Sequence, residues 1–230
     1  MLAMDTTGRV CTVALSDAQG FLGEYSLGME RAHSRWLHPA IARLLEDTGT
    51  SAGHLTAVAV SAGPGSFTGL RIGVATAKAL AYALDIPVIP VPTLDVLSRA
   101  PGPGTGLVSP VVSARRGQVY AGLYRGGVPL EGPVVTDEGG WLVHLGLLRE
   151  EVMLVGDVLD RKEGPLRARL AGALRAAPPS ACYPRAAIVA EIGWELLAQG
   201  AGTGAMSALP HYLSGTPAER AWEAQRDREV

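Results

Sequence analysis

Asp5, followed by Thr6, Thr7 and Gly8 between two short apolar runs, is the arrangement in this 230-residue chain best suited to meet a cation or a phosphate. A carboxylate at the end of a strand can hold magnesium beside a nucleotide, and Asp5, Thr6 and Thr7 are therefore candidates for a nucleotide or phosphate cleft. The same carboxylate can instead accept the N–H groups of its own turn. A second candidate is the loop Gly63-Pro64-Gly65-Ser66-Phe67-Thr68-Gly69, where a strand gives way to a helix whose first N–H groups could attract an anion. Its spacing excludes more specific chemistries. Gly63-x-Gly65-x-x-x-Gly69 is one residue too long for a dinucleotide fingerprint, and no Gly-Lys-Ser/Thr stands in phosphate-loop spacing. Ser66 lacks the flanking glycines of a nucleophile elbow, and there is no His-Glu-x-x-His pair, so a peptidase is a poor reading.

The histidines and cysteines do not make a metal centre by spacing. His33 and His38 are five residues apart, which turns them about 140° from each other on a helix, and surface, capping or interface roles suit them better. His54, His144 and His211 have no ligand-spaced neighbours. Cys11, in a strand-like run, and Cys182, in a Pro-flanked loop, form neither a disulfide framework nor a metal cluster, as expected in a reducing compartment. Arg115 and Arg116 at a hairpin tip are read as solvated.

The elements that would position these groups come in two similar blocks. Leu2–Met4, Val10–Leu15 and Phe21–Tyr25 read as three antiparallel strands, followed by a helix from about Ser34 to Glu46, a buried strand at Ala57–Val60, the glycine-rich helix, and a strand over Ile86–Val91. Pro101-Gly102-Pro103-Gly104 breaks the chain. Beyond it, Leu107–Val112 and Gln118–Tyr124 repeat the opening hairpin, with Ser113 at the place of Asp5 and Gly117 at that of Gly8. A helix near Trp141–Leu148, a strand at Val152–Val155 and helices near Arg161–Leu174 and Ala186–Gln199 follow. The boundaries expected are a first lobe over 1–102, a smaller second lobe over 103–215 and a charged tail over 216–230. A composition 47% hydrophobic and 18% charged supports a sizeable core. A net charge of −2 gives no attraction to a polyanion, so independent nucleic-acid binding is not expected. No run of about 18 apolar residues is present, and a cytoplasmic protein without membrane association is expected.

In the glycine-rich helix, Gly69, Gly73 and Ala77 recur every four residues and form a stripe along which another backbone can approach closely, within the domain or from a second chain. On the preceding helix, Trp36, Leu37, Ala40, Ile41 and Leu44 make one apolar face.

Five segments together resemble the bacterial TsaB (YeaZ) proteins: Asp5-Thr6-Thr7; His33-Ser34-x-x-Leu37-x-Pro39-x-Ile41; Ala62 to Gly73; Ala114 to Tyr120; and Pro210-His211-Tyr212-Leu213. The resemblance implies an α/β fold of two ribonuclease-H-like lobes of the actin-like ATPase type, with mixed sheets flanked by helices. It also implies a role in making threonylcarbamoyladenosine in tRNA. In the family's catalytic paralogue, TsaD, a His-x-x-x-His pair holds the metal; here Thr93 and Leu97 occupy those places and are not strong transition-metal ligands. The second carboxylate of a magnesium-nucleotide site is replaced by Ser113. The Gly200–Gly204 run is a candidate adenosine-holding segment or a flexible connector. The expectation is thus a non-catalytic subunit that needs no cofactor, with ATP, magnesium and metal carried by partners. It would pair with TsaD through His33, Trp36, Leu37, Ala40, Ile41, Leu44, Gly69, Gly73, Ala77 and Leu80, be joined by the ATPase TsaE, and form a homodimer through the same face when alone. A nucleotide-dependent phosphotransferase is the alternative.

Overall fold

The computed structural model describes residues 1–28, 33–115, 117–160 and 174–213. The two apolar runs that flank Asp5 form its centre. Strand β1 (Leu2–Asp5) is buried along its whole length, antiparallel to β2 (Val10–Asp17) with Asp5 opposite Thr12, and parallel to β4 (Val58–Gly63) with Leu2 opposite Val58. With β3 (Gly20–Gly28) beside β2 and β5 (Val88–Pro92) beside β4, the sheet runs β3-β2-β1-β4-β5. Strands covered on both faces need no polar side, which is why β4 is buried throughout.

Helices α1 (His33–Asp47) and α2 (Phe67–Leu84) cover one face, with Leu37, Ile41, Leu44, Val74, Ala77 and Ala81 packed on Leu2, Met4, Val13, Val58 and Val60. Ser66 starts α2 by accepting from Gly69 N at 3.2 Å, and Asp85 in the left-handed region (φ 52°) ends it. The short α3 (Thr93–Arg99) lies on the opposite face.

The second sheet repeats the plan. Strands β6 (Leu107–Ser113), β7 (Gln118–Arg125) and β8 (Val128–Asp137) are antiparallel neighbours, and β9 (Val152–Val155) and β10 (Leu174–Ala176) add in parallel, giving β10-β9-β6-β7-β8. Helix α4 (Glu138–Gly146) is capped by Asp137, which accepts from Gly140 N at 2.6 Å, and it buries Trp141, Leu142 and Leu145. Two sheets of one topology, each built from a three-strand hairpin unit plus two parallel strands, constitute the actin-like architecture. The tandem hairpins read from the sequence match β1–β2 and β6–β7.

The return of the chain departs from the expected boundary at 215. Helix α5 (Ala186–Ala198) packs on the first sheet: Ala186, Val189, Ala190 and Ile192 meet Ala3, Ala14, Ala57 and Ala59. Those small sheet residues leave room for a helix that the short α3 cannot fill. Glu24 on β3 fastens the helix start, accepting from Ala187 N at 3.0 Å and pairing with Arg185. From there residues 199–213 run over the first lobe. Thr203 forms an antiparallel bridge with Val88, Ala208 enters the first core, and His211 N donates to Ala62 O at 2.7 Å. The Gly200–Gly204 run is therefore a strap beside β5 rather than part of a second-lobe adenosine site. Of the helix expected over Arg161–Leu174, residues 161–173 lie outside the described residues, and Leu174 begins β10; the tail over 216–230 and Arg116 also lie outside them.

Candidate functional site

The glycines of the segment from Ala62 to Gly73 explain how the Asp5 turn is held. A Cβ on Gly73 would lie 2.5 Å from Thr6 Oγ1, one on Gly65 2.6 Å from Thr7 Cβ, and one on Gly69 would run into the Thr6 carbonyl oxygen. Helix α2 thus lies directly on the β1–β2 turn. Thr6 Oγ1 donates to Gly69 O at 2.7 Å, and Ser66 N donates to Thr7 O at 2.7 Å. The stripe of Gly69, Gly73 and Ala77 faces this chain's own turn and sheet, which corrects its expected place in a seam with a partner. Leu37, Ala40, Ile41 and Leu44 are buried in the same core, His33 is buried beside the turn, and Leu80 packs against the core; of the residues expected to meet a partner, Trp36 is the exposed one. Helical spacing identifies residues that share a face, but glycine and alanine do not tell which way that face looks.

Asp5 is fully buried, and its carboxylate serves the turn. Thr7 N donates to Oδ1 at 2.9 Å and Thr7 Oγ1 to Oδ2 at 2.9 Å. Burial pushes its pKa up to about 6; the nearby Ser61 hydroxyl, although it makes no well-formed hydrogen bond, and the bonds from Thr7 pull it part of the way back. Cys11 beside it is pushed up to about 11, by burial and then by the Asp5 charge, so it is a packing residue rather than a nucleophile.

A cleft of about 1140 Å³ separates the two lobes. The first lobe lines it with Thr7, Gly8 and Arg9 of the turn, His33 and Ser34 at the start of α1, Ser66 and Thr68 at the start of α2, and Thr93 and Leu97 on α3. The second lobe contributes Ser113, Asp157, Asp160, Cys182 and Tyr183. Of the three candidates from the sequence, Thr7 lines the cleft, whereas Asp5 and Thr6 are sealed beneath it. His33 Nε2 bonds the Gly8 carbonyl at 2.9 Å, which fixes that nitrogen as the donor. Its Nδ1 and the Thr93 hydroxyl are buried without a partner.

No motif or spacing in the sequence marks Arg9, Asp157 and Asp160. Arg9 pairs with Asp160 across the cleft at 3.4 Å, and Asp157 Oδ1 accepts from Ser113 N at 2.7 Å. Gly156 just before them is the available signal: at φ 126°, where an added Cβ would lie 2.3 Å from the Val111 carbonyl oxygen, it marks a tight strand exit that delivers the next side chains to the cleft. Tyr124 and Asp95 join β7 to α3, the phenol donating to Asp95 Oδ1 at 2.9 Å; burial raises both pKa values.

These donors do not fit a magnesium-bound nucleotide. The carboxylate at the end of β1 has both oxygens turned to Thr7, the matching position on β6 is the neutral Ser113, and Asp157 is engaged by the Ser113 amide. Thr93 and Leu97, which line the cleft, offer a hydroxyl and a hydrocarbon, neither of them a strong transition-metal ligand. Among the described residues no three His, Cys, Asp or Glu side chains are grouped to hold a metal ion.

Outside the cleft, α2 presents Ala75, Ala79 and Tyr82 to solvent, and α1 presents Arg35, Trp36, Pro39 and Ala42, on the same face of the first sheet. Tyr82 is 74% and Trp36 43% exposed. Beside α2, Phe67 packs on Tyr212 of the strap with ring centroids 5.3 Å apart, and the Arg71 guanidinium lies 4.1 Å from the Phe67 ring centre.

Two ribonuclease-H-like lobes of one sheet topology about a cleft define an actin-like protein. A family model described as "TsaD: tRNA N6-adenosine threonylcarbamoyltransferase" matches residues 24–132. The tRNA threonylcarbamoyladenosine biosynthesis protein TsaB of Bacillus subtilis is 40% identical over 152 residues, 66% of each chain, and that of Escherichia coli 35% identical over 127 residues, 54% of each. The matched segments thus span about two thirds and about half of those relatives. A Pseudomonas aeruginosa structure described as similar to peptidase YEAZ superposes with a TM-score of 0.77 at 28% identity, covering 93% of this chain and 98% of that one, and a second, described as YeaZ, has a TM-score of 0.72. The chain belongs to the TsaB (YeaZ) family, whose named members are tRNA threonylcarbamoyladenosine biosynthesis proteins. No helix among the described residues is long and apolar enough to cross a membrane.

Proposed function

We propose that this chain is a non-catalytic subunit of the cytoplasmic machinery that transfers threonylcarbamoyl to tRNA. It docks through the exposed sides of α1 and α2 on the catalytic paralogue TsaD, with the ATPase TsaE joining the assembly. The observation that carries this reading is the combination of exposed Trp36 and Tyr82 with the small residues Ala75 and Ala79 on one face. Large aromatic anchors beside small residues allow a second helix to approach closely. The same face could support a homodimer when the paralogue is absent. ATP, magnesium and catalytic metal are then carried by the partners, and the chain binds no nucleic acid by itself.

The test uses exposed positions, because an arginine at the buried Gly73 or Ala77 would disrupt the fold. Ala79→Arg is expected to abolish co-purification with TsaD while leaving the melting temperature unchanged. Unchanged co-purification would remove α2 from the docking face.

A further inference from the structure

Phe67, Arg71 and Lys78 share one side of α2, and the C-terminal strap runs along it. Lys78 is used internally: its Nζ donates to the carbonyls of Met206 at 3.0 Å and Ala208 at 3.1 Å. Arg71 is held differently. Its guanidinium is stacked on the Phe67 ring and its Nε donates to the Tyr212 hydroxyl at 3.4 Å, so two uncharged aromatic groups fix the side chain without neutralising it. It is exposed, and no carboxylate among the described residues lies within ion-pair distance, whereas Arg9, Arg43, Arg99, Arg125, Arg175 and Arg185 each have one.

The surroundings share this imbalance. Helix α2 contains no acidic residue, and α1 contains none before Glu46, while Arg35 on α1 is likewise exposed and without an acidic partner among the described residues. A guanidinium already ordered by stacking loses little freedom when it binds, and its fork matches a carboxylate or a phosphate. Arg71 and Arg35, on the face that carries Trp36, Ala75, Ala79 and Tyr82, are too few to hold a nucleic-acid backbone and have the composition of a protein interface with charged margins.

We propose that the Phe67–Arg71–Tyr212 clamp is the polar anchor of the docking face and takes a carboxylate on an acidic surface of the partner protein. This rests on the docking reading given above and names the chemistry the partner must present. It also gives two of the segments that carry the family resemblance, Ala62–Gly73 and Pro210–Leu213, one shared task.

The experiment is titration calorimetry of the full chain with purified TsaD from the same organism, at 50 mM and 500 mM sodium chloride. Arg71→Ala is expected to weaken binding about tenfold or more at low salt and to flatten the salt dependence. Arg71→Lys restores little, because an ammonium neither stacks nor forks, and Arg71→Glu binds more weakly than Arg71→Ala. Melting temperatures confirm that the variants are folded. Wild-type affinity in Arg71→Ala and Arg71→Glu would overturn the clamp and leave the docking reading standing, whereas failure of the wild-type chain to bind TsaD would overturn both. If Arg71→Ala kept its affinity for TsaD and lost affinity for a tRNA transcript, the anion would be a phosphate and the proposal would be wrong.

Discussion

Replacing Gly73 by alanine should reverse the usual outcome of that substitution. At an exposed helical position, Gly→Ala stabilises by about 1 kcal/mol. Here the new methyl would lie 2.5 Å from Thr6 Oγ1 and 3.4 Å from Val60 Cγ2, in a place where Thr6 is 1% exposed and its hydroxyl is committed to Gly69 O. Overpacking of this kind costs about 1 to 3 kcal/mol, and displacing the Thr6 hydroxyl forfeits a buried hydrogen bond of about 1 kcal/mol. The net expectation, after the helical gain of about 1 kcal/mol is subtracted, is a loss of about 1 to 3 kcal/mol, or a fall in melting temperature of about 2 to 12 °C for a chain of this size. Calorimetric unfolding of Gly73→Ala, Thr6→Ala and the double variant provides the assay. Because Thr6→Ala removes the atom that clashes, the double variant should be no less stable than Thr6→Ala alone. Gly69→Ala should have no such rescue, since its methyl meets the Thr6 backbone. A rise in melting temperature for Gly73→Ala, or strictly additive losses in the double variant, would refute the packing of α2 on the turn.

Two further expectations concern buried charge. In the unfolded chain Asp5 titrates near 3.8, and in the fold it is pushed up to about 6, so between those values the folded state holds a proton that the unfolded state has released. Its contribution to stability is therefore greatest below about pH 4, falls as pH rises through about 6 and stays low above that, a change of about 3 kcal/mol in all. Asp5→Asn, which can still accept from Thr7 N, should gain on the wild type across this window in denaturant titrations; a difference that stays flat from pH 4 to 7 would contradict the buried-carboxylate account. Glu24→Ala removes both the Arg185 pair and the bond from Ala187 N at the start of α5, and should cost about 2 kcal/mol after allowance for the partial exposure of Arg185. Faster hydrogen exchange at the first turn of α5 should accompany it, and unchanged exchange there would show that Glu24 does not cap the helix.

Much of the architecture is legible in the residues because short apolar strands, turn glycines and helical apolar spacing recur in the same order twice. Asp5 and Ser113 do stand at equivalent hairpin ends, in β1 and β6. Facing direction was less legible. Gly69, Gly73 and Ala77 share one side of α2, but residues with a methyl group or less cannot report whether sheet or partner lies opposite. The destination of α5 was hidden for a related reason: an apolar helix shows that it must be covered, and only the row of alanines on the far side of the first sheet specifies where. The cleft residues Asp157 and Asp160 follow β9, the counterpart of β4 in the first sheet, but the glycine-rich helix that follows β4 has no sequence echo there, so spacing offers little to mark them. Arg71 and Tyr212 meet from 141 residues apart, a contact that no local pattern encodes.

The proposed role gives this chain a docking face rather than a reaction centre. Reconstituted threonylcarbamoyl transfer to tRNA, with purified TsaD and TsaE and with the chain as wild type, Ala79→Arg or the cleft variant Asp157→Asn, tests it directly. Product is expected from the complete set with the wild type and with Asp157→Asn, and neither from Ala79→Arg nor from the chain alone. Transfer by the chain alone, or its loss in Asp157→Asn with TsaD binding intact, would contradict the claim.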